Sequence, residues 1–191
     1  MNDRSNIMSH IYWNHFLALE DDLAHVQRYI EFDEENFKTY SIEFVKLLLA
    51  IGSEIDVICK LLCHEINQNE ESKNICSHRK TIIRKFPAIF KFTVRVENKP
   101  FVFIPWESGG IDKTPEWWDK YNDVKHHRSS CYHEANLKNT FYAISGLLTI
   151  LLYYYSKLST SPFDYGGIPT ILDFDGKPAN VMFGGNIPFP K

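Results

Sequence analysis

The sequence has no apolar run long enough to cross a membrane. Its most apolar stretch, residues 143–155, includes Ser145, Gly146 and Thr149. A membrane-spanning helix needs about 20 consecutive apolar residues, and this stretch has only about 13. We therefore predict a buried core helix here and no membrane association.

Cysteine is also scarce, with four residues in 191, and the first residues show no cationic segment followed by an apolar one. Secreted disulfide scaffolds have the opposite features, so we expect a cytoplasmic protein. A zinc site is an alternative, because Cys59, Cys63 and His64 are close on one helical face and Cys76 and His78 follow the next turn. Their spacing matches no standard zinc finger, and free cysteines are commonly buried in the core. We predict neither a metal nor a cofactor.

Three familiar catalytic motifs are missing: a glycine-rich phosphate loop, Gly-x-Ser-x-Gly and His-Glu-x-x-His. The composition, 44% hydrophobic and 24% charged, is typical of a globular domain. The formal net charge of -3 hides a basic block at residues 77–99, where Glu97 is the single acidic residue. Such a block is either a solvated face or a surface that binds a polyanion. Its basic residues are our candidates for binding a polyanion such as RNA: Arg79, Lys80, Arg84, Lys85, Lys91, Arg95 and Lys99.

Hydrophobic periodicity predicts a mainly α-helical fold. One helical domain is expected over residues 1–158, with a small β-hairpin inserted at about 90–104 and a Pro/Gly-rich, irregular tail over 159–191. The tail has the pattern of a small hairpin, with strands at 171–174 and 179–183. Gly52 interrupts the second and longest helix, which suggests that another helix crosses closely there. The predicted helices cover about 10–30, 44–66, 78–85, from 115 onward, and 134–158.

The densest cluster of chemically active side chains lies at residues 117–133. Arginine and lysine can hold phosphate oxygens, and histidine exchanges protons near neutral pH. Together they supply what metal-free RNA cleavage needs, namely a base, an acid and cations that stabilise the phosphorane. The candidate catalytic residues are Arg128, His133, His126, Lys125 and Asn122.

A straight helix does not bring all of these residues together. On such a helix Arg128 and His133 point about 140° apart, so joint use needs a break near Ser129 and Ser130 or a site shared between two copies. The structural alternative makes Arg128 a cation paired with a carboxylate of the second helix; Glu54 and Asp56 are the natural partners. Asp56 and Lys60 are expected to pair at i, i+4. Trp117 and Trp118 are expected to pack in the core rather than stack on bases.

These residues and the helical order resemble the HEPN superfamily (higher eukaryotes and prokaryotes nucleotide-binding domain). Its nuclease members carry an arginine, four to six intervening residues and a histidine, matched here by Arg128 and His133. The wider string Trp118, Tyr121-Asn122, Lys125-His126 and Arg128 resembles a group of uncharacterised bacterial HEPN-like proteins. The likeness covers about residues 10–158, and Ser129 departs from the Asn or Asp that usually follows the arginine.

The resemblance implies a homodimeric helical bundle that cleaves RNA without metal in a toxin–antitoxin or phage-defence system. A cognate antitoxin or a defence-system partner is then a further expectation. Arg128 and Lys125 would bind the scissile phosphate, His133 or His126 would transfer protons, and Asn122 would orient the substrate or an imidazole. Some similar proteins have lost the chemistry, so the alternative is a non-catalytic dimeric module that binds nucleotide, nucleic acid or a partner protein.

Overall fold

A computed structural model describes residues 10–68, 74–108, 110–158, 163–164, 167–175 and 186–187. Helices dominate, which confirms the predicted mainly α-helical class with a small inserted hairpin. The helices are α1 (Ile11–Val26), α2 (Ile42–Ile66), α3 (Ile75–Lys85), α4 (Glu116–His126), α5 (Arg128–Cys131) and α6 (Leu137–Leu158). The strands are β1 (Val94–Val96), β2 (Val102–Phe103), β3 (Phe163–Asp164), β4 (Leu172–Phe174) and β5 (Asn186–Ile187), and 3-10 turns occupy Glu34–Asn36, Pro87–Lys91 and Tyr132–Glu134.

The two longest helices, α2 and α6, make the most extensive helix–helix contact of the fold. Ser41 begins α2, because its hydroxyl accepts a hydrogen bond from the Phe44 amide at 3.2 Å and satisfies one of the free first-turn donors. The predicted apolar stripe of α2 is buried throughout, which confirms the periodicity argument. Its members are Phe44, Leu48, Ile51, Ile55, Ile58 and Leu62.

The apolar run at residues 143–155 lies within α6 and is buried along its whole length, as predicted. Within it, Thr149 satisfies its hydroxyl by donating to the carbonyl of Ser145 at 2.8 Å. Of the helices that the structure describes, none is both long and apolar enough to cross a membrane. The run therefore serves as the central core helix.

The inserted hairpin is shorter than predicted and belongs to a three-stranded antiparallel sheet in the order β2-β1-β4. Val94 pairs with Phe103 on one side and with Phe174 on the other. The turn between β1 and β2 uses Asn98 with φ 56°, a conformation that asparagine tolerates. Extending the first strand back to residue 90 was wrong, because Pro87 begins a 3-10 turn that runs to Lys91.

The tail segment 171–174 forms a strand as predicted, but β4 pairs with β1. The proposed partner at 179–183 lies outside the described residues. Glu20 of α1 fixes the tail segment, since its buried carboxylate accepts hydrogen bonds from the backbone amides of Thr170, Ile171 and Leu172 at 2.8–3.0 Å. Part of the tail is thus tied to the helical core.

Candidate functional site

Helix α4, which begins the predicted motif, is positioned by two aromatic–glycine contacts. Tyr121 packs against Gly52 of α2, where an added Cβ would lie only 2.4 Å from the ring. Trp117 packs in the same way against Gly146 of α6, where the corresponding distance is 3.0 Å. A glycine lets a neighbouring side chain approach the helix backbone closely, so α4 sits against both long helices. The close crossing predicted at Gly52 is confirmed.

The tryptophans at the start of α4 pack in the core, as predicted. Trp117 is 3% exposed and donates its indole N–H to the carbonyl of Pro105 at 2.6 Å. Trp118 is 5% exposed, and its ring lies 4.9 Å from that of Tyr121, centroid to centroid. Buried indoles are not available to stack on bases, so these residues act as anchors for the site rather than as parts of it.

The motif does not form one straight helix. Backbone angles of φ -130° and ψ 38° at His127 end α4 and allow α5 to begin at Arg128. The His127 carbonyl accepts hydrogen bonds from the amides of Ser130 and Cys131 and from the Ser130 hydroxyl, which stabilises the new turn. The break expected near Ser129 and Ser130 is therefore present, and it lies just before them, at His127.

Four of the five candidate catalytic residues, Lys125, His126, Arg128 and His133, are exposed, and Asn122 is half-buried. The Lys125 ammonium lies 5.4 Å from the Tyr121 ring centre, within range of a cation–π interaction. The structure does not join Arg128 to His133 by any direct polar or ring contact among the residues described. A single copy of the chain therefore presents four of these groups at its surface and does not join Arg128 to His133.

Arg128 is not held by the carboxylates expected for a structural cation. Glu54 lies 3.4 Å from the His15 imidazole, and Asp56 pairs with Lys60 at 2.5 Å, as predicted for that pair. Within the part of the chain that the structure describes, the Arg128 side chain makes no hydrogen bond, ion pair or ring contact. Its guanidinium is free to bind an anion.

A different pair, which the sequence did not single out, fixes the turn that carries His133. Lys120 of α4 donates to the Glu134 carboxylate at 2.9 Å, and this hydrogen bond raises the pKa of Lys120. The His133 imidazole lies 3.7 Å from the same carboxylate. Asn136 then begins α6 by accepting from the Asn139 amide at 3.0 Å, so the last helix starts later than predicted. Lys120 lies inside the motif string, and that position was the one available signal.

Beside this turn lies a cleft of about 370 Å³, which we call the His133 cleft. Its walls come from the segment at 37–40, from α4 and from the first turn of α6. Its lining includes the polar and aromatic side chains of Lys38, Tyr40, Lys120, His133 and Lys138. The sequence could not have indicated this cleft, because its walls are about a hundred residues apart in the chain.

The seven predicted RNA-binding residues divide into two groups. Three have side chains at the surface with no ion pair among the described residues: Arg84, Lys85 and Lys91. The other four are engaged within the fold. Lys80 pairs with Asp112, Arg95 with Asp173 and Asp175, and Lys99 with Glu31. Arg79 is buried.

Arg79 is 1% exposed and acts as an internal tie. Its guanidinium donates to the carbonyls of Gly110 and Ile111 at 2.9 and 3.0 Å and to the Ser108 hydroxyl, and it lies 4.7 Å from the Phe90 ring centre. Burial lowers the pKa of Arg79. The side chain holds the loop before α4 and does not present its charge to a ligand.

The zinc alternative finds no support in the arrangement of its ligands. Cys59 and Cys63 lie in the core, and the Cys63 thiol donates to the carbonyl of His78 at 3.4 Å. Burial raises the pKa of the Cys59 thiol well above its usual value, which disfavours the thiolate that zinc requires. Across the described ranges, no three histidine, cysteine or acidic side chains gather as a metal site.

Comparison of the chain with protein-family models, with curated proteins and with solved structures finds no match in any of the three. The resemblance to the HEPN superfamily therefore stays a hypothesis that rests on the residues quoted above.

Proposed function

We propose that the protein is a metal-independent, HEPN-like endoribonuclease that acts in the cytoplasm within a bacterial toxin or phage-defence system. The observation that carries the proposal is the exposed and unpaired guanidinium of Arg128, next to His126 and His127 at a helix break. An arginine with a purely structural role would be expected to pair with a carboxylate or stack on a ring. Arg128 does neither within the described residues, so a ligand is the natural partner.

In the proposed reaction, the 2′-oxygen of the RNA attacks the adjacent phosphorus, and the bond to the 5′-oxygen breaks. His133 or His126 accepts the proton of the 2′-hydroxyl, and an imidazolium protonates the leaving 5′-oxygen. Arg128 and Lys125 stabilise the charge on the phosphorane, and Asn122 orients the substrate or an imidazole. The products are a 2′,3′-cyclic phosphate end and a 5′-hydroxyl end.

The proposal includes a homodimer, because a single copy does not bring Arg128 and His133 into direct contact among the described residues. A second copy facing the α4–α5 break would place two sets of Arg128 and His133 around one phosphate and would exclude water from it. A cognate antitoxin or defence-system partner would control access to this surface. Light scattering of the purified protein measures whether the dimer forms.

RNA would reach the site along the surface cations Arg84, Lys85 and Lys91, which carry no ion pair among the described residues. Phosphate contacts of this kind are sequence-independent and weaken with salt. The four engaged members of the predicted patch would contribute less, since their charges are already offset or enclosed by internal partners.

The test is cleavage of total RNA and of tRNA in the presence of a chelator, with the product ends analysed for 2′,3′-cyclic phosphate. The wild-type protein is compared with Arg128→Ala and His133→Ala variants. Arg28→Ala, which removes another exposed arginine, is the matched control. Cleavage that is lost in Arg128→Ala and retained in Arg28→Ala supports the proposal. Equal cleavage by both variants would remove Arg128 from the mechanism.

The second candidate is a non-catalytic dimeric module that binds nucleotide, nucleic acid or a partner protein. It is favoured by the lack of any direct contact between Arg128 and His133 among the residues described. Such a module would bind RNA or a nucleotide and cleave neither total RNA nor tRNA, so the same experiment, combined with a binding assay, separates the two functions.

A further inference from the structure

We propose that the His133 cleft binds one nucleoside-phosphate unit of RNA, with the phosphate held by Lys38 and Lys138 and the base placed against Tyr40. That this nucleotide lies beside the scissile bond of the RNA rests on the proposed nuclease function. The binding itself does not, because it follows from the charge, shape and aromatic lining of the cleft.

The charge of the cleft favours an anion. Three lysines, Lys38, Lys120 and Lys138, face two carboxylates, Glu116 and Glu134, so the cations exceed the anions by one before His133 is protonated. Lys120 is committed to Glu134 at 2.9 Å and offsets its charge. Lys38 and Lys138 form no ion pair with any residue that the structure describes, and the Lys138 ammonium lies 5.9 Å from the Tyr142 ring centre, a cation–π contact that leaves its N–H donors to a ligand. These two ammonium groups can therefore donate charge-assisted hydrogen bonds to a phosphate.

The cleft is built before any ligand arrives. The first amides of α6 are already used, since those of Leu137 and Lys138 donate to the carbonyls of Thr39 and Phe37 at 3.0 and 3.1 Å. These bonds hold the 37–40 wall against α6, and Lys120 holds the opposite wall through Glu134. Because these amides of α6 are occupied, we assign the phosphate to the lysine side chains. A rigid cleft also costs less entropy when it binds.

The aromatic group of the cleft is suited to a nucleobase. Tyr40 is 54% exposed, and its ring meets Tyr132 in a T-shaped contact with centroids 5.9 Å apart, so about half of the side chain stays accessible to a ligand. Base–aromatic stacking of this kind tolerates any base. A volume of about 370 Å³ is at the lower end of small-ligand sites, which suits one nucleotide better than a folded RNA helix.

Binding is tested by NMR titration of the 191-residue wild-type chain with adenosine 3′-monophosphate and, separately, with inorganic phosphate. We expect saturable shifts at the amides of residues 37–40 and 133–139, with the nucleotide bound more tightly than phosphate. The double variant Lys38→Ala/Lys138→Ala should bind the nucleotide at least about tenfold more weakly, as expected when charged hydrogen bonds are lost. Lys46→Ala/Lys60→Ala removes the same charge from exposed sites on α2 and should keep the affinity within about twofold.

Tyr40→Leu separates nucleotide recognition from anion binding. This exposed substitution should remove the preference for nucleotide over inorganic phosphate and leave phosphate binding intact. No saturable shifts, shifts elsewhere, or equal weakening by the two double variants would overturn the inference. Nucleotide binding in the cleft without RNA cleavage would keep it and refute the nuclease proposal. RNA cleavage that depends on Arg128, with no shift of the cleft amides in the nucleotide titration, would refute the inference and keep the nuclease proposal.

Discussion

Replacing Gly52 by alanine tests the contact that positions α4 and therefore the candidate site. The added Cβ would lie 2.4 Å from Cε2 and 2.5 Å from Cδ2 of Tyr121, whereas carbon atoms in favourable contact are about 3.5–4.0 Å apart. The ring has little room to retreat, because it is 3% exposed and packs on Trp118. Either α4 moves away from α2 or the Tyr121 side chain leaves its preferred rotamer.

The expected magnitude follows from two opposing effects. Overpacking of a core costs about 1–3 kcal/mol, and alanine gains about 1 kcal/mol over glycine in helix propensity. An overlap this deep favours the upper part of the first range, so Gly52→Ala should lower the free energy of unfolding by about 1–2 kcal/mol. For a domain of this size, that corresponds to a fall in Tm of about 2–8 °C.

The assay is thermal unfolding followed by circular dichroism, in wild-type and Tyr121→Ala backgrounds. Without the ring, the propensity gain remains and the steric cost disappears, so Gly52→Ala should raise Tm in the Tyr121→Ala protein. Ser53→Ala, at an exposed neighbouring position, is the control and should stay within about 0.5 kcal/mol of wild type. The reasoning is refuted if Gly52→Ala has the same effect in both backgrounds, or if it stabilises the wild-type protein.

Three further predictions address the tail, the core and the basic surface. Glu20→Gln should lower the free energy of unfolding, measured with urea, by about 2–3 kcal/mol, because three backbone amides lose a charged acceptor. Glu35→Gln, at an exposed position, is the control, and an equally small change in both variants would contradict the prediction. Burial raises the pKa of the Cys59 thiol, so with rising pH the unfolded chain loses this proton before the folded chain does, and the free energy of unfolding should fall above about pH 8.5. Urea unfolding of Cys59→Ala should show a smaller fall in the free energy of unfolding over the same pH range. An unchanged slope against pH would argue against this cause. Joint replacement of the cations at 84, 85 and 91 by alanine should weaken RNA binding and reduce the slope of log Kd against log salt by about 2. Joint replacement of the three engaged cations Lys80, Arg95 and Lys99 should change the slope less, and equal effects of the two triple variants would show that engagement within the fold does not matter.

The helices were predictable because their burial follows local spacing. Every member of the α2 stripe from Phe44 to Leu62 is buried, as the 3.6-residue period requires. The break was predicted near Ser129 and Ser130 but not at His127 itself, since the apolar pattern there fits one continuous helix. The Ser130 hydroxyl stabilises the break by donating a hydrogen bond to the carbonyl of His127, which is the C-cap residue of α4.

Local charge was a poorer guide than local hydrophobicity. Arg79 appears in a basic run, yet it lies at i+4 from Ile75 and three residues before Ile82, which places it on the buried stripe of α3. That spacing was a readable signal. Arg95 gave no such signal, because its partner Asp173 is 78 positions away and faces it only through the pairing of β1 with β4. The His133 cleft is hidden from the sequence for the same reason.

The bond between Glu20 and Leu172, which are 152 positions apart, also bears on the order of folding. Contacts this distant in sequence pay a large loop-closure entropy and form late. During synthesis, α1 emerges before β4, and the Glu20 carboxylate must stay hydrated until residues 170–172 leave the ribosome. We therefore expect the docking of β4 to be the step that completes the native state, and fragments that stop short of residue 170 to expose Glu20 and the open edge of β1 to other chains.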